Sequence, residues 1–214
     1  MKPANATRAV LFDVDGTLID AAANQRRAWA QWAHEYGVDP DATYAVALRT
    51  RPTETFAIVA PDADSARCLH RFHELEDEDA ATGTYSAFDG AATLLGRVRD
   101  RPWALVTSNY AHRVRIRFAR TGLPVPPLIV DAAAVSRGKP EPEGYLLAAR
   151  ELGATPENCL VLEDAPSGIA AARAAGAMVW AVNADAPMAG ADRTYRTLND
   201  AVGDVLEFAF ADTR

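Results

Sequence analysis

The chain has 214 residues, 49% hydrophobic and 24% charged, an ordinary balance for one large globular domain or a domain with a small insert. Lys and Arg number 22 against 29 Asp and Glu, a net charge of −7, which argues against nonspecific nucleic-acid binding because that relies on cationic contacts to phosphates. Two distant cysteines, Cys68 and Cys159, make no disulfide framework and suit a reducing cytoplasm, no window approaches the roughly 18 apolar residues of a membrane span, and Met1 to Ala6 lack the apolar run of a signal peptide.

Residues 8–13 read as the first strand, since Ala9-Val10-Leu11-Phe12 is an apolar run bounded by turn residues. Asp13-Val14-Asp15-Gly16-Thr17 follows. On a strand, residues i and i+2 share a side, so Asp13 and Asp15 are expected to lean into one space with Val14 turned away. Two carboxylates this close repel each other, and they call for a hard divalent cation or a shared proton. An Asp-rich turn is the plain alternative.

From Asp20 to Thr84 the pattern is helical. Helices are predicted over 21–37, 43–48, 55–59 and 64–80, with Pro52 separating the middle two. Trp29 and Trp32 read as the core of this region, and Glu74 to Asp79 as an acidic solvated face. His70, His73 and Glu74 lack the spacing of a His-Glu-x-x-His metal helix.

From Phe88 on, strands and helices alternate. Helices are expected over 90–98, 111–120, 143–152, 166–175 and 200–208, and strands over 103–107, 128–130, 159–162 and 178–182. Residues 111–120 are ambiguous, because Arg113, Arg115 and Arg117 alternate with Val114, Ile116 and Phe118 as in a strand. A helix is favoured because the stretch follows a strand closely and ends at Gly122. Its arginines read as surface charges. Repeated β-α units with short apolar strands predict an α/β fold, a doubly wound parallel sheet covered on both faces.

Ligands bind such sheets outside the carboxyl ends of the strands. There the sequence puts Asp13 and Asp15, then Thr107-Ser108-Asn109, then Glu163-Asp164. Lys139 of Gly138-Lys139-Pro140 comes before the helix that leads into the last of these strands. Taken singly, these are a helix cap, an exposed turn and a polar strand end.

Taken in order, Asp13-Val14-Asp15-Gly16-Thr17, Thr107-Ser108-Asn109, Gly138-Lys139-Pro140 and Glu163-Asp164-Ala165-Pro166-Ser167-Gly168 resemble the four motifs of the haloacid dehalogenase superfamily, subfamily IA. The closer similarity is to the small sugar-phosphate phosphatases, of the 2-deoxyglucose-6-phosphate and glycerol phosphate type. The resemblance implies a Rossmann-like catalytic core, residues 1–19 and 85–214, with a small helical cap, residues 20–84, that reads the substrate. It implies a Mg²⁺-dependent phosphomonoester hydrolase of small sugar or polyol phosphates. A phosphomutase on the same scaffold and a phosphoglycolate phosphatase are the alternatives.

By the same resemblance Asp13 is the nucleophile that forms an aspartyl-phosphate, and Asp15 is the general acid and then base. Asp13, Asp15 (through its backbone carbonyl) and Asp164 hold Mg²⁺, with Glu163 as a direct or water-bridged ligand. Thr107, Ser108, Asn109 and Lys139 bind the phosphate. In the cap, Arg49 and Arg51 are the expected specificity positions, for instance toward a second anionic group. The expected partner is a small phosphate ester, with no nucleic acid and no membrane, for a cytoplasmic monomer or weak dimer.

Overall fold

The structure is a computed structural model that describes residues 7–211, so Met1 to Ala6 lie outside the described residues. Two units are present, one made of the chain up to Asp20 and from Ser86 on, the other of Ala21–Tyr85.

The first unit is built on a six-stranded, wholly parallel sheet. Its strands are β1 (Ala9–Phe12), β4 (Trp103–Val106), β5 (Ile129–Val130), β6 (Cys159–Glu163), β7 (Met178–Ala181) and β8 (Arg193–Thr194), in the order β5-β4-β1-β6-β7-β8. The helices of this unit are α5 (Ala91–Val98), α6 (Ala111–Thr121), α7 (Glu143–Glu151), α8 (Pro166–Ala175) and α9 (Leu198–Phe210). A Rossmann-like α/β architecture results, as the alternation of elements predicts.

β1 shows why the strands are apolar throughout. Ala9 and Leu11 pack with Ala104, Val106, Val161, Tyr145 and Ile169 on the face that carries α7 and α8. Val10 and Phe12 alternate to the other face and are equally buried. A parallel sheet covered on both sides has no solvated face, so alternation disappears from the sequence.

β1 is also where the sheet reverses its winding. β4 and β5 lie to one side of it, β6 to β8 to the other. That reversal opens a crevice at the carboxyl ends of the strands. Phe12 is level with Leu105 on one neighbour and Leu162 on the other. One residue further on come Asp13 and Glu163, and the Asp13 amide donates to the Leu162 carbonyl (3.0 Å).

Two short pairings carry no signature in the sequence. β2 (Ile19–Asp20) pairs antiparallel with β3 (Ser86–Ala87), where the chain leaves this unit and returns. β8 adds a two-residue edge to the main sheet. Strands this short have too few residues to show a period.

The second unit is helical, with α1 (Ala22–Tyr36), α2 (Pro40–Ala47), α3 (Pro52–Val59) and α4 (Ser65–Thr82). Both α2 and α3 begin at their prolines, earlier than the sequence suggests. Proline's missing N–H costs nothing in the first turn, and Asp39 caps α2 by accepting from the Ala42 amide (2.7 Å). Trp29, Trp32, Phe56 and Phe72 form its aromatic core, with the Trp32 indole donating to the Cys68 carbonyl (3.2 Å). His70 is exposed on α4 and faces Glu74. Asp79, expected on a solvated face, instead ties α4 to α1: it accepts from Asn24 (2.8 Å), Arg27 (3.0 Å) and Tyr85.

Candidate active site

Lys139 is the centre of the first cluster. Its Nζ donates to Asp13 Oδ1 (2.5 Å), Glu163 Oε1 (2.6 Å) and the Val106 carbonyl (3.1 Å). Three N–H bonds thus meet acceptors at the ends of β1, β6 and β4. The side chain is only 10% exposed. Burial alone would push its ammonium to release a proton, but Asp13 and Glu163 outweigh that and hold its pKa well above the ordinary value.

Glu163 is saturated. Its Oε1 accepts from Lys139 and from the Tyr145 hydroxyl (2.9 Å), and its Oε2 from the amides of Asp164 and Ala165 (both 3.0 Å). A carboxylate has about four acceptor positions. Tyr145 is fully buried, and burial, then the Glu163 charge, pushes its hydroxyl pKa well up, so it stays a donor. Room for Glu163 exists because position 168 is glycine: a Cβ there would lie 1.6 Å from Oε1.

Asp164 is fixed by the Thr17 hydroxyl (3.1 Å) and sits against Gly16. Gly16 has φ +97°, and a Cβ on it would stand 2.0 Å from Asp164 Oδ2, so this turn needs glycine on both counts. Asn183, at the end of β7, donates to the carbonyls of Gly16 (2.8 Å) and Thr17 (3.1 Å) and pins the same turn.

Oxygens of Asp13, Glu163 and Asp164 lie within 4.8 Å of one another. Three carboxylates against one ammonium leave a surplus of negative charge. The result shows in the protonation equilibria. Burial, then Glu163 and Asp164 working against Lys139, raises Asp13 well above the carboxylate range. Burial, then Glu163, raises Asp164 to about 7. An all-oxygen, electron-rich pocket of this kind fits a hard divalent cation. Because Glu163 has its acceptor positions filled, Asp13 and Asp164 are the side chains with oxygens to offer.

Asp15 belongs to a different cluster. Both its oxygens accept from Nη1 of Arg117 (2.7 and 2.8 Å), and Asn109 Nδ2 stands 3.4 Å from Oδ2. The Asp13 and Asp15 side chains therefore do not lean into one space, contrary to what strand periodicity predicts: Lys139 meets Asp13, and Arg117 meets Asp15. β1 ends at Phe12, so the alternation behind that expectation stops before Asp13.

Thr107 is buried at the end of β4 and Ser108 is exposed. The Thr107 hydroxyl accepts from the Asn109 amide (3.0 Å), which leaves its own hydrogen to donate. Arg49 and Arg51 are exposed in the second unit, in the turn between α2 and α3, where the Arg51 amide donates to Glu54 (3.1 Å).

The arginines of α6 correct the sequence reading. Arg115 and Arg120 are exposed, but Arg113 and Arg117 are buried, at 1% and 2% exposure. Helical geometry puts residues 113, 114, 117 and 118 on one face, and the buried face of α6 is made of these four. Nothing local in the sequence marks Tyr145 or Asn183.

Carboxylates, a lysine and a threonine hydroxyl at the carboxyl edge of a doubly wound parallel sheet are the layout of an α/β phosphohydrolase. The chain belongs to the haloacid dehalogenase-like hydrolase family, whose model matches residues 7–176. Hexitol phosphatase A of Escherichia coli is 39% identical over 182 residues, 84% of each chain. 2-Deoxyglucose-6-phosphate phosphatase 1 of Saccharomyces cerevisiae is 31% identical over 192 residues, 78% of this chain and 76% of that one. Among solved structures, CbbY from Rhodobacter sphaeroides in complex with phosphate superposes with a TM-score of 0.79 at 26% identity, covering 91% of this chain and 96% of that one.

Proposed function

We propose that this enzyme hydrolyses small sugar or polyol phosphates, hexitol phosphates first among them, through an aspartyl-phosphate on Asp13. The observation that carries the reading is the Asp13–Lys139–Glu163–Asp164 cluster with Thr107 beside it at the sheet edge. The choice of sugar or polyol ester comes from the hexitol and 2-deoxyglucose relatives.

Asp13 attacks phosphorus and the ester P–O bond breaks. The leaving alcohol takes a proton from Asp15. Water then gives a proton to Asp15 and attacks the aspartyl-phosphate, releasing inorganic phosphate and freeing Asp13. Lys139 holds Asp13 in place and offsets its charge as the anionic ester approaches. Thr107 donates its hydroxyl to a phosphoryl oxygen, with Ser108 and Asn109 lining the same anion site. Asp13, Asp164 and the Asp15 carbonyl would hold Mg²⁺, with Glu163 as a hydrogen-bonded support outside its ligand set. Mg²⁺ supplies charge neutralisation between carboxylate and phosphate.

Residues 20–84 act as the cap that selects the substrate, with Arg49 and Arg51 as the positions that read its polar end. Among the described residues no helix is long and apolar enough to cross a membrane. The two buried free cysteines fit the reducing cytoplasm, where the enzyme works as a monomer or weak dimer.

The test is inorganic phosphate release from a panel of hexitol, 2-deoxyhexose and ketose phosphates and phosphoglycolate, with Mg²⁺ and with chelator. Release from a polyol or sugar ester, lost with chelator and in Asp13→Asn, is expected. An isomerised ester with no free phosphate would make the enzyme a mutase. Full activity in Asp13→Asn would end the aspartyl-phosphate reading.

A further inference from the structure

Two buried cations, Lys139 and Arg117, pair with three of the carboxylates at this edge of the sheet. Lys139 serves Asp13 and Glu163, while Arg117 serves Asp15. The Arg117 side chain is 3% exposed and that of Asp15 12% exposed. A guanidinium stays charged at any working pH, and a charge this buried persists only if paired. Arg117 comes from the second turn of α6, the helix that begins just after the Thr107–Asn109 segment.

A second contact supports the first. Asn109 reaches toward Asp15, and its own Oδ1 accepts from the Tyr110 amide (2.8 Å) and from Arg113 Nη1 (3.3 Å). Arg113 and Arg117 are one helical turn apart, so α6 anchors both groups around Asp15.

We propose that Arg117 is a positioning residue, holding the Asp15 carboxylate apart from the Asp13–Glu163–Asp164 cluster and ready for proton transfer. The inference rests on the reading of Asp15 as the proton donor and acceptor. An aspartate side chain turns about two bonds, and Asp15 is only two residues from Asp13. Released, it can swing toward the cation pocket, add a further negative charge there and leave the ester oxygen unserved. Two hydrogen bonds from one guanidinium nitrogen, plus Asn109, remove that freedom. Proton transfer needs such control, since a misplacement of about 1 Å is costly in rate.

The test is a double-mutant cycle on the full chain with Mg²⁺: wild type, Arg117→Met, Asp15→Asn and both together. Two substrates are compared, a hexitol phosphate, whose alkoxide needs a proton to leave, and p-nitrophenyl phosphate, whose phenolate does not. Arg117→Met is expected to lower kcat on the hexitol ester about 100-fold, the scale of a general acid, with KM nearly unchanged. The first-turnover burst of p-nitrophenolate is expected to stay within about fivefold of wild type, because that step needs no acid. In the Asp15→Asn background, Arg117→Met should add less than about a twofold loss, since the two act as a unit.

Equal losses on both substrates, or losses that multiply in the double variant, would overturn the inference. If Arg117→Met alone does not fold, the double variant, with no unpaired charge, replaces it and is compared with Asp15→Asn. Asp15→Asn with undiminished hexitol phosphate turnover would instead bring down the functional reading itself.

Discussion

Glu163 occupies the space that a side chain on Gly168 would fill: a Cβ there would stand 1.6 Å from Oε1 and 2.5 Å from Oε2. The carboxylate cannot move aside cheaply, because Lys139, Tyr145 and two backbone amides hold it. Gly168→Ala is therefore expected to destabilise the fold by about 1–3 kcal/mol, the range of an overpacked site, and to cut kcat at least about tenfold by loosening Lys139. Thermal melting and phosphate release check this. A variant with wild-type melting and turnover would show that Glu163 is not confined.

Lys139→Met removes the shared cation from Asp13 and Glu163. Two buried carboxylates are left uncompensated, and breaking a buried pair in this way costs about 3–5 kcal/mol. Activity should fall by more than about 100-fold, because Asp13 loses both its orientation and its charge offset. Chemical denaturation measures the first effect and steady-state kinetics the second. Loss of activity with unchanged stability would mean that the buried pair carries no folding energy.

Asp164 makes the metal-free protein sensitive to pH. Its folded pKa is about 7 against an ordinary value of 3.8, raised by burial and then by Glu163. Between pH 4 and 7 the folded state keeps a proton that the unfolded chain has released. Stability from this group is thus complete below about pH 4 and is lost as the pH rises through about 7. Mg²⁺ held by Asp164, as proposed, would compete with the same proton, so its stabilising effect should grow from pH 5 to 8. Melting curves with chelator and with Mg²⁺ across that range test it. A constant gap between the two curves would remove Asp164 from the metal site.

Tyr145→Phe deletes one donor to Glu163 and leaves the ring in place under the Lys139 ammonium, 5.2 Å away. A hydrogen bond to a charged group is worth about 1.5–3 kcal/mol. The melting temperature should fall accordingly, with a kcat loss smaller than that of Lys139→Met. A phenylalanine variant as stable as wild type would show that water or Lys139 replaces the lost donor.

Much of this molecule is legible without coordinates. The apolar runs at Ala9–Phe12, Trp103–Val106 and Cys159–Leu162 set the core strands, because a sheet buried on both faces leaves no polar alternation. The polar residues after each run mark the functional edge, since parallel strands all end on one side. Asp13, Lys139, Glu163 and Asp164 meet there as the order of elements predicts.

What the sequence does not disclose is which charge answers which. Asp13 and Asp15 are neighbours in the chain, yet Lys139 takes one and Arg117, 102 residues downstream, takes the other. Arg117 looks like Arg115 in composition and differs only in the helix face it occupies. The roles of Tyr145 and Asn183 likewise depend on long-range register. Residue order determined where the strands end and which carboxylates gather there. Pairing among buried charges was decided by packing, because a buried charge must find a partner in space and that partner is rarely its neighbour in sequence.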